Sequence, residues 1–269
     1  MELAIGCATR IYSDLPFAEA CRRIADAGYT DVAIYVSQGQ VPVLSGTAKA
    51  EVLNIRKIVT DAGLVPSMLL VWPPVDFKAG LQATIDDYKR LIDNAALLGA
   101  AWLQDVGIDQ EELFEDYFAL LQQAAVHAES ARVGIALKPH GGISLTAQDL
   151  IAAHRRVNSR AFGICYDPAN IIYYTGGERR PEPDVSKVAS LVATAIIKDC
   201  VIQDGIPDVM ITPGEGLVDF EAVLSDLIKG GFRGPVYVEC VGGKTLDEID
   251  RNVRRTLAFV KGILADLAG

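Results

Sequence analysis

Short apolar runs alternate with longer stretches of helical period from one end of the chain to the other. The runs at residues 3–7, 32–36, 65–71, 101–106, 133–137, 162–166, 194–197 and 235–238 have strand length and are apolar throughout or nearly so. Between them lie segments whose apolar positions recur three and four residues apart. One starts at Pro16, buries Phe17, Ala20, Cys21, Ile24 and Ala25, and stops at Gly28. Another carries Ile85, Tyr88, Leu91, Ile92, Ala95 and Leu98 and stops at Gly99. Further helices are predicted over 47–62, 110–131, 147–157, 185–191, 220–228 and 246–267. Strands that are apolar on both faces belong to parallel sheets covered by helices. Eight strand–helix units in 269 residues, with no gap long enough for a linker, predict an α/β fold: a (β/α)8 TIM barrel forming one domain over 1–269. A doubly wound open sheet is the competitor, but no GxGxxG follows the first strand.

A barrel of this kind works at the C-terminal ends of its strands. Polar groups concentrate on the second half: Lys138 and His140, Asp167 and Asn170, Lys198 and Asp199, and Glu239. Earlier ends supply Thr9 and Arg10, Tyr35, Trp72, and Gln104 with Asp105. A lone Asp before Pro often caps a turn and nothing more. Glu239, however, sits between Val238 and Cys240 inside an apolar run, where a carboxylate is costly unless paired. Lys138 and Asp167 end apolar runs in the same way, and charges of opposite sign entering one mouth suit each other. Trp72, before Pro73-Pro74, serves equally well as a wall for a ligand ring or as rim packing. His127 and His154 fall mid-helix and read as surface or packing residues.

Charge narrows the partners. With 25 Lys+Arg against 35 Asp+Glu the formal net charge is −10, which disfavours nucleic acid and anionic membranes, since both select for basic surfaces. No stretch approaches the roughly 18 apolar residues of a membrane span, and the opening residues read as a strand rather than a signal peptide. The cysteines, Cys7, Cys21, Cys165, Cys200 and Cys240, are scattered and odd in number. They read as buried free thiols in a reducing, cytoplasmic compartment. Assembly into a homo-oligomer is left open.

The strand ends taken together resemble the xylose isomerase-like barrel superfamily, which includes sugar epimerases, hydroxypyruvate isomerases, inosose dehydratases and endonuclease IV. The resemblance covers nearly the whole chain. It is carried by Ile135-Ala136-Leu137-Lys138-Pro139-His140, Tyr166-Asp167-Pro168-Ala169-Asn170, Ile197-Lys198-Asp199, Thr212-Pro213-Gly214-Glu215-Gly216 and Val238-Glu239. It implies a divalent ion held by a Glu, an Asp, a His and a second Glu, with the glutamates moving a proton beside a carbonyl. Here the Asp matches Asp167 and the last Glu matches Glu239. The first Glu falls on Lys138, the His on Ile196, a second His on Asn170, and an Arg on Met210.

Two arrangements then follow. Asp167, Glu239 and His140, with Asp199 in reserve, hold Mn2+, Mg2+ or Zn2+ weakly; or the Lys138 ammonium takes the metal's place, its pKa moved down by burial or up by the carboxylates. The resemblance implies a sugar or polyol isomerase or epimerase with Glu239 as base; the residues found at the strand ends add Lys138 and Lys198 as partners in catalysis, and His140, Trp72, Asn170 and Tyr35 around a small carbohydrate. A keto-sugar dehydratase, or a metal-free sugar-binding barrel without catalysis, are the alternatives. A phosphate seat on the backbone of Gly214, Gly216, Gly242 and Gly243 is a weaker expectation, because only Lys244 lies nearby to add a cation. Endonuclease IV is excluded by the single strand-end histidine and the charge.

Overall fold

The computed structural model describes residues 3–267. Its barrel strands are β1 (Ile5–Ala8), β2 (Asp31–Ile34), β3 (Val65–Leu70), β4 (Trp102–Asp105), β5 (Gly134–Leu137), β6 (Phe162–Tyr166), β7 (Val192–Ile197) and, after a small hairpin of β8 (Val201–Gln203) and β9 (Ile206–Asp208), β10 (Val236–Val238). All eight barrel strands pair in parallel with their neighbours, and β10 closes on β1 with Ile5 opposite Val236. These are the eight apolar runs read from the sequence, with ends moved by no more than two residues.

The helices form where the periodicity places them. α1 (Phe17–Asp26) turns Ala20, Cys21 and Ile24 onto the barrel, and α2 (Lys49–Asp61) turns in Val52 and Val59. α3 (Leu81–Leu98) ends at Gly99, whose φ of 93° costs a side-chain-bearing residue strain. α4 (Phe114–Ala131) follows a single 3-10 turn. α5 (Ala147–Val157) opens with a capping box, Thr146 and Asp149 each accepting from the other's backbone N–H.

The connection from β6 to β7 differs from the single helix expected at 185–191. It contains α6 (Pro168–Tyr174) and a four-residue α7 (Val185–Val188) continued by a 3-10 turn. The Asp167 carboxylate accepts the Asn170 N–H at 3.0 Å, and Pro168 occupies the first helical position. The segment read as a strand-end loop is therefore a helix start. The hairpin of β8 and β9 was also not expected, although Asp204-Gly205 at its tip, both with positive φ, is the usual two-residue hairpin turn. The outer ring is completed by α8 (Phe220–Lys229) and α9 (Leu246–Asp266).

Strand alternation decides which strand-end groups enter the barrel. Tyr237 of β10 crosses the interior to Ser67 of β3, hydroxyl to hydroxyl at 2.8 Å. Two residues on, Glu239 points inward as well. Gln104, Lys138, Asp167 and Lys198 leave their strands on the same inner face, and their successors turn outward. Asp105 accepts the Tyr88 and Tyr117 hydroxyls from α3 and α4 at 2.6 and 2.7 Å. Asp199 accepts four backbone N–H groups, from Cys200, Gly214, Gly216 and Val218, at 2.8–3.0 Å. The loop after the hairpin is thereby tied to the end of β7, immediately beside Lys198.

Candidate active site

The inward groups meet at the floor of a cavity of about 430 Å3 in the barrel mouth. Lys138 Nζ lies 2.5 Å from Glu239 Oε2 and 3.0 Å from Asp167 Oδ2. Lys198 Nζ lies 3.0 Å from Glu239 Oε1 and 2.8 Å from Asp167 Oδ2, and donates to Asn170 Oδ1 at 2.7 Å. Each ammonium thus bridges both carboxylates, and none of the four side chains is more than 3% exposed. Asp167 Oδ2 meets the two ammonium groups through charge rather than through an aligned hydrogen bond. Its Oδ1 caps α6, so one residue fixes both the ion cluster and the helix that carries Asn170. The Asn170 amide in turn donates to the Pro139 carbonyl at 2.6 Å, tying the ends of β5, β6 and β7 together.

Glu239 has further partners. Arg10 Nη1 donates to its Oε1 at 3.2 Å, and the Tyr35 hydroxyl lies 3.2 Å from its Oε2. The same hydroxyl also meets Gln104 Oε1. A phenol has one proton and serves one acceptor at a time. Gln104 is fully buried and lines the cavity, and its Nε2 has no partner among the described residues. Turning the amide over lets Nε2 donate to Tyr35 and frees the oxygen instead. In either orientation one polar atom of Gln104 is left without a hydrogen-bond partner among the described residues.

Burial alone raises the Glu239 pKa, but Lys138, Lys198 and Arg10 together outweigh it and hold the carboxyl well below the usual carboxylate range. Burial likewise lowers Lys198, yet Asp167 and Glu239 outweigh it and keep its ammonium above an ordinary lysine. His140 is pushed down to about 4 by burial and by the charges of Lys138 and Lys198. Its Nε2 pairs with the Tyr174 hydroxyl at 2.7 Å on the cavity wall. Burial pushes Tyr174 up to about 12.

All of the site residues picked from the sequence line this cavity, save Asp167, which is buried and ion-paired with both lysines that do. Trp72 is 40% exposed and forms part of the wall. The expected ligand set of Asp167, Glu239 and His140 needs correction. Among the described residues no three His, Cys, Asp or Glu side chains are grouped to hold an ion. His140 is engaged with Tyr174, Asp199 faces the loop backbone, and two ammonium groups stand between the carboxylates. A divalent cation there meets two positive charges at contact distance, so the residues present do not fit one. The phosphate seat is corrected too: the Gly214 and Gly216 N–H groups are taken by Asp199, and that of Gly242 by Thr212.

Arg10 and Gln104 were noted as strand-end residues but left out of the site. For Gln104 the signal is strand alternation, since it precedes the outward Asp105 at the end of β4; Arg10 lies in the 3-10 turn after β1, where alternation does not run, and only the pairing of β1 with β10 brings it to Glu239. His127 and His154 lie outside the site as expected, the first bonded to Asp93 and the second packed against Phe162. The five cysteines are free and buried.

An α/β barrel whose strand ends converge on a polar cavity is an architecture shared by many enzymes. The chain belongs to the xylose isomerase-like TIM barrel family, whose model matches residues 21–263. Curated protein sequences give no significant match. Among solved structures, a xylose isomerase-like TIM barrel protein from Mycobacterium smegmatis in complex with magnesium superposes with a TM-score of 0.78 at 18% identity, covering 97% of this chain and 98% of that one. D-psicose 3-epimerase with D-tagatose from Clostridium cellulolyticum H10 gives 0.77 at 12% identity, covering 97% and 99%. L-ribulose 3-epimerase gives 0.76 at 14%, covering 99% and 96%. At these identities the likeness is one of fold. Among the described residues no helix is long and apolar enough to cross a membrane.

Proposed function

We propose that the protein is a carbohydrate isomerase or epimerase that moves a proton next to a carbonyl, with the Lys138–Lys198 pair in the role a divalent cation plays in its relatives. The observation that carries this reading is the double bridge: two buried ammonium groups, each within 3.0 Å of both Asp167 and Glu239, at the floor of a ligand-sized cavity. The D-psicose and L-ribulose 3-epimerases of the same fold lend it support.

The resting site holds Glu239 as a poor base, since Arg10, Tyr35, Lys138 and Lys198 all face its oxygens. A substrate carbonyl oxygen seated on Lys138 and Lys198 draws those ammonium groups toward itself. That polarises the carbonyl and relaxes the grip on Glu239, whose pKa rises as the cations' field is shared. Glu239 then takes the proton from the adjacent carbon, and the two ammonium groups hold the enediolate charge. Glu239, now protonated, returns the proton to the other carbon of the enediolate as the hydroxyl proton passes between its two oxygens, which moves the carbonyl; or solvent delivers a proton to the original carbon from the opposite face while Glu239 gives its own up to solvent, which inverts the centre. Elimination of a neighbouring hydroxyl shares the same first step, so dehydration is the closest variant.

The test is deuterium uptake from D2O at the carbon beside the carbonyl, followed by proton NMR over a panel of ketoses and their acid derivatives. Exchange is expected with the wild type and lost in Glu239→Gln with the circular dichroism spectrum unchanged. Exchange in the variant at near wild-type rate removes Glu239 from the mechanism. A second reading, a sugar-binding barrel without catalysis, draws on the fully occupied oxygens of Glu239, and binding without exchange by any panel member favours it.

A further inference from the structure

We propose that the substrate carries a carboxylate, and that Arg10 is the residue that seats it. This rests on the reading of the site as a carbohydrate pocket and names the class of carbohydrate. The first observation is the charge count. Arg10, Lys138 and Lys198 face Asp167 and Glu239, three cations to two carboxylates, in a chain whose formal net charge is −10. Asp109 stands near Tyr174 but does not line the cavity, and Asp105 and Asp199 point out of the barrel into tyrosine hydroxyls and backbone N–H groups. Among the described residues the mouth therefore carries one positive charge in excess.

The second observation says which cation it is. Lys198 donates to Glu239 and Asn170 and is paired by charge with Asp167, and Lys138 is held between the two carboxylates. Both are buried. Arg10 stands in a single 3-10 turn directly after β1, its side chain 42% exposed on the cavity wall. A guanidinium carries five N–H donors, and Arg10 spends one, on Glu239 Oε1 at 3.2 Å. Its other donors meet no protein acceptor among the described residues, and a guanidinium's planar fork binds a carboxylate through two parallel bonds. Ser13, from the same turn, lines the cavity beside it and its hydroxyl is free of protein partners among the described residues.

A neutral ketose satisfies the floor of the site and leaves Arg10 to water. A ketohexuronate of the same carbon skeleton places its carbonyl on the lysine pair and its carboxylate on Arg10, and so neutralises the pocket. A phosphate ester is the other anionic candidate, but the loop N–H groups that ordinarily share in holding one are already bonded to Asp199 and Thr212. That favours the carboxylate.

The experiment is calorimetric titration of the whole protein with matched pairs, D-fructuronate against D-fructose and D-tagaturonate against D-tagatose, with D-fructose 6-phosphate as the phosphate arm. At least one uronate is expected to bind about tenfold or more tighter than its neutral partner and tighter than the phosphate. Arg10→Gln is expected to bring the ratio of uronate to neutral ketose affinity to within about twofold of unity, and Arg10→Lys to restore part of that ratio, since it keeps the charge and loses the fork. Thermal melts confirm that both variants fold. Equal or weaker binding of both uronates, no binding of either, tighter binding of the phosphate, or a preference that survives Arg10→Gln each overturn the inference. Deuterium exchange into a neutral ketose without acid preference leaves the proton-transfer reading intact, whereas acid-selective binding without exchange does the reverse.

Discussion

Lys198→Met removes one of the two bridging ammonium groups while keeping the length and most of the volume of the side chain. In the native site Lys198 Nζ stands 2.8 Å from Asp167 Oδ2 and 3.0 Å from Glu239 Oε1. At 2.8 Å and an effective dielectric of about 20, the first attraction alone is about 6 kcal/mol before desolvation. Deleting the lysine forfeits that attraction and recovers only its own desolvation, so the buried carboxylates are left under-compensated at a net cost of about 3–5 kcal/mol. Asp167→Asn keeps an oxygen to cap α6 and removes the charge. The double variant should therefore be more stable than the sum of the two single losses by about 1 kcal/mol or more.

Urea unfolding followed by far-ultraviolet circular dichroism at pH 7 measures all three variants. The pH dependence adds a sign. Glu239 is held below the ordinary carboxylate range, so its contribution is present above the unfolded value of about 4.3 and is lost as pH falls through the folded one. The gap between wild type and Lys198→Met is thus widest near neutrality and narrows below about pH 4. A loss under about 1 kcal/mol at pH 7, or strict additivity in the cycle, refutes the electrostatic account of the cluster.

Three further outcomes follow from other parts of the molecule. Asp199→Asn replaces one of two oxygens that together accept four backbone N–H groups, so it should cost about 2–3 kcal/mol in urea unfolding and speed amide exchange at Gly214, Gly216 and Val218; unchanged exchange there contradicts the tether. The His140 ring, held neutral, should titrate by NMR near 4 rather than 6.5, and the stability it contributes above pH 6.5 is lost as pH falls from 6.5 to 4; a midpoint of about 6 or higher contradicts its placement beside the lysines. Lys138→Glu exchanges a repelling charge for a ligand and should raise Mn2+ affinity by about tenfold or more, about 1.4 kcal/mol, in calorimetry; equal affinity means that Lys138 is not what excludes the ion.

The barrel was legible because its strands are buried on both faces, which writes eight continuous apolar runs into the chain. Glycines at 28, 63 and 99 punctuate the helices between them. The polar floor was legible for a related reason: Lys138, Asp167 and Glu239 interrupt or end apolar runs, where a charge needs a partner. What the runs do not encode is direction and engagement. Asp199 looks as available as Lys198 in one dimension, and only the outward turn of alternate residues hands it to the loop backbone. Arg10 looks like an ordinary surface arginine until β1 and β10 are adjacent and bring it to Glu239. His140 lies two residues from Lys138 in sequence, yet its Nε2 is taken by Tyr174 on the wall, which no local pattern records. The short helix after β6 was hidden because Asp167-Pro168 signals a turn and a helix N-terminus alike.

The replacement of a divalent cation by two ammonium groups is tested most directly by the rate of deuterium uptake into the best-turned-over ketose or ketohexuronate, measured side by side in excess EDTA and in millimolar Mn2+. The account predicts rates equal within about twofold, since the charge at the floor of the site comes from Lys138 and Lys198 and a metal has no seat between Asp167 and Glu239. Uptake abolished by EDTA and restored by Mn2+ contradicts it.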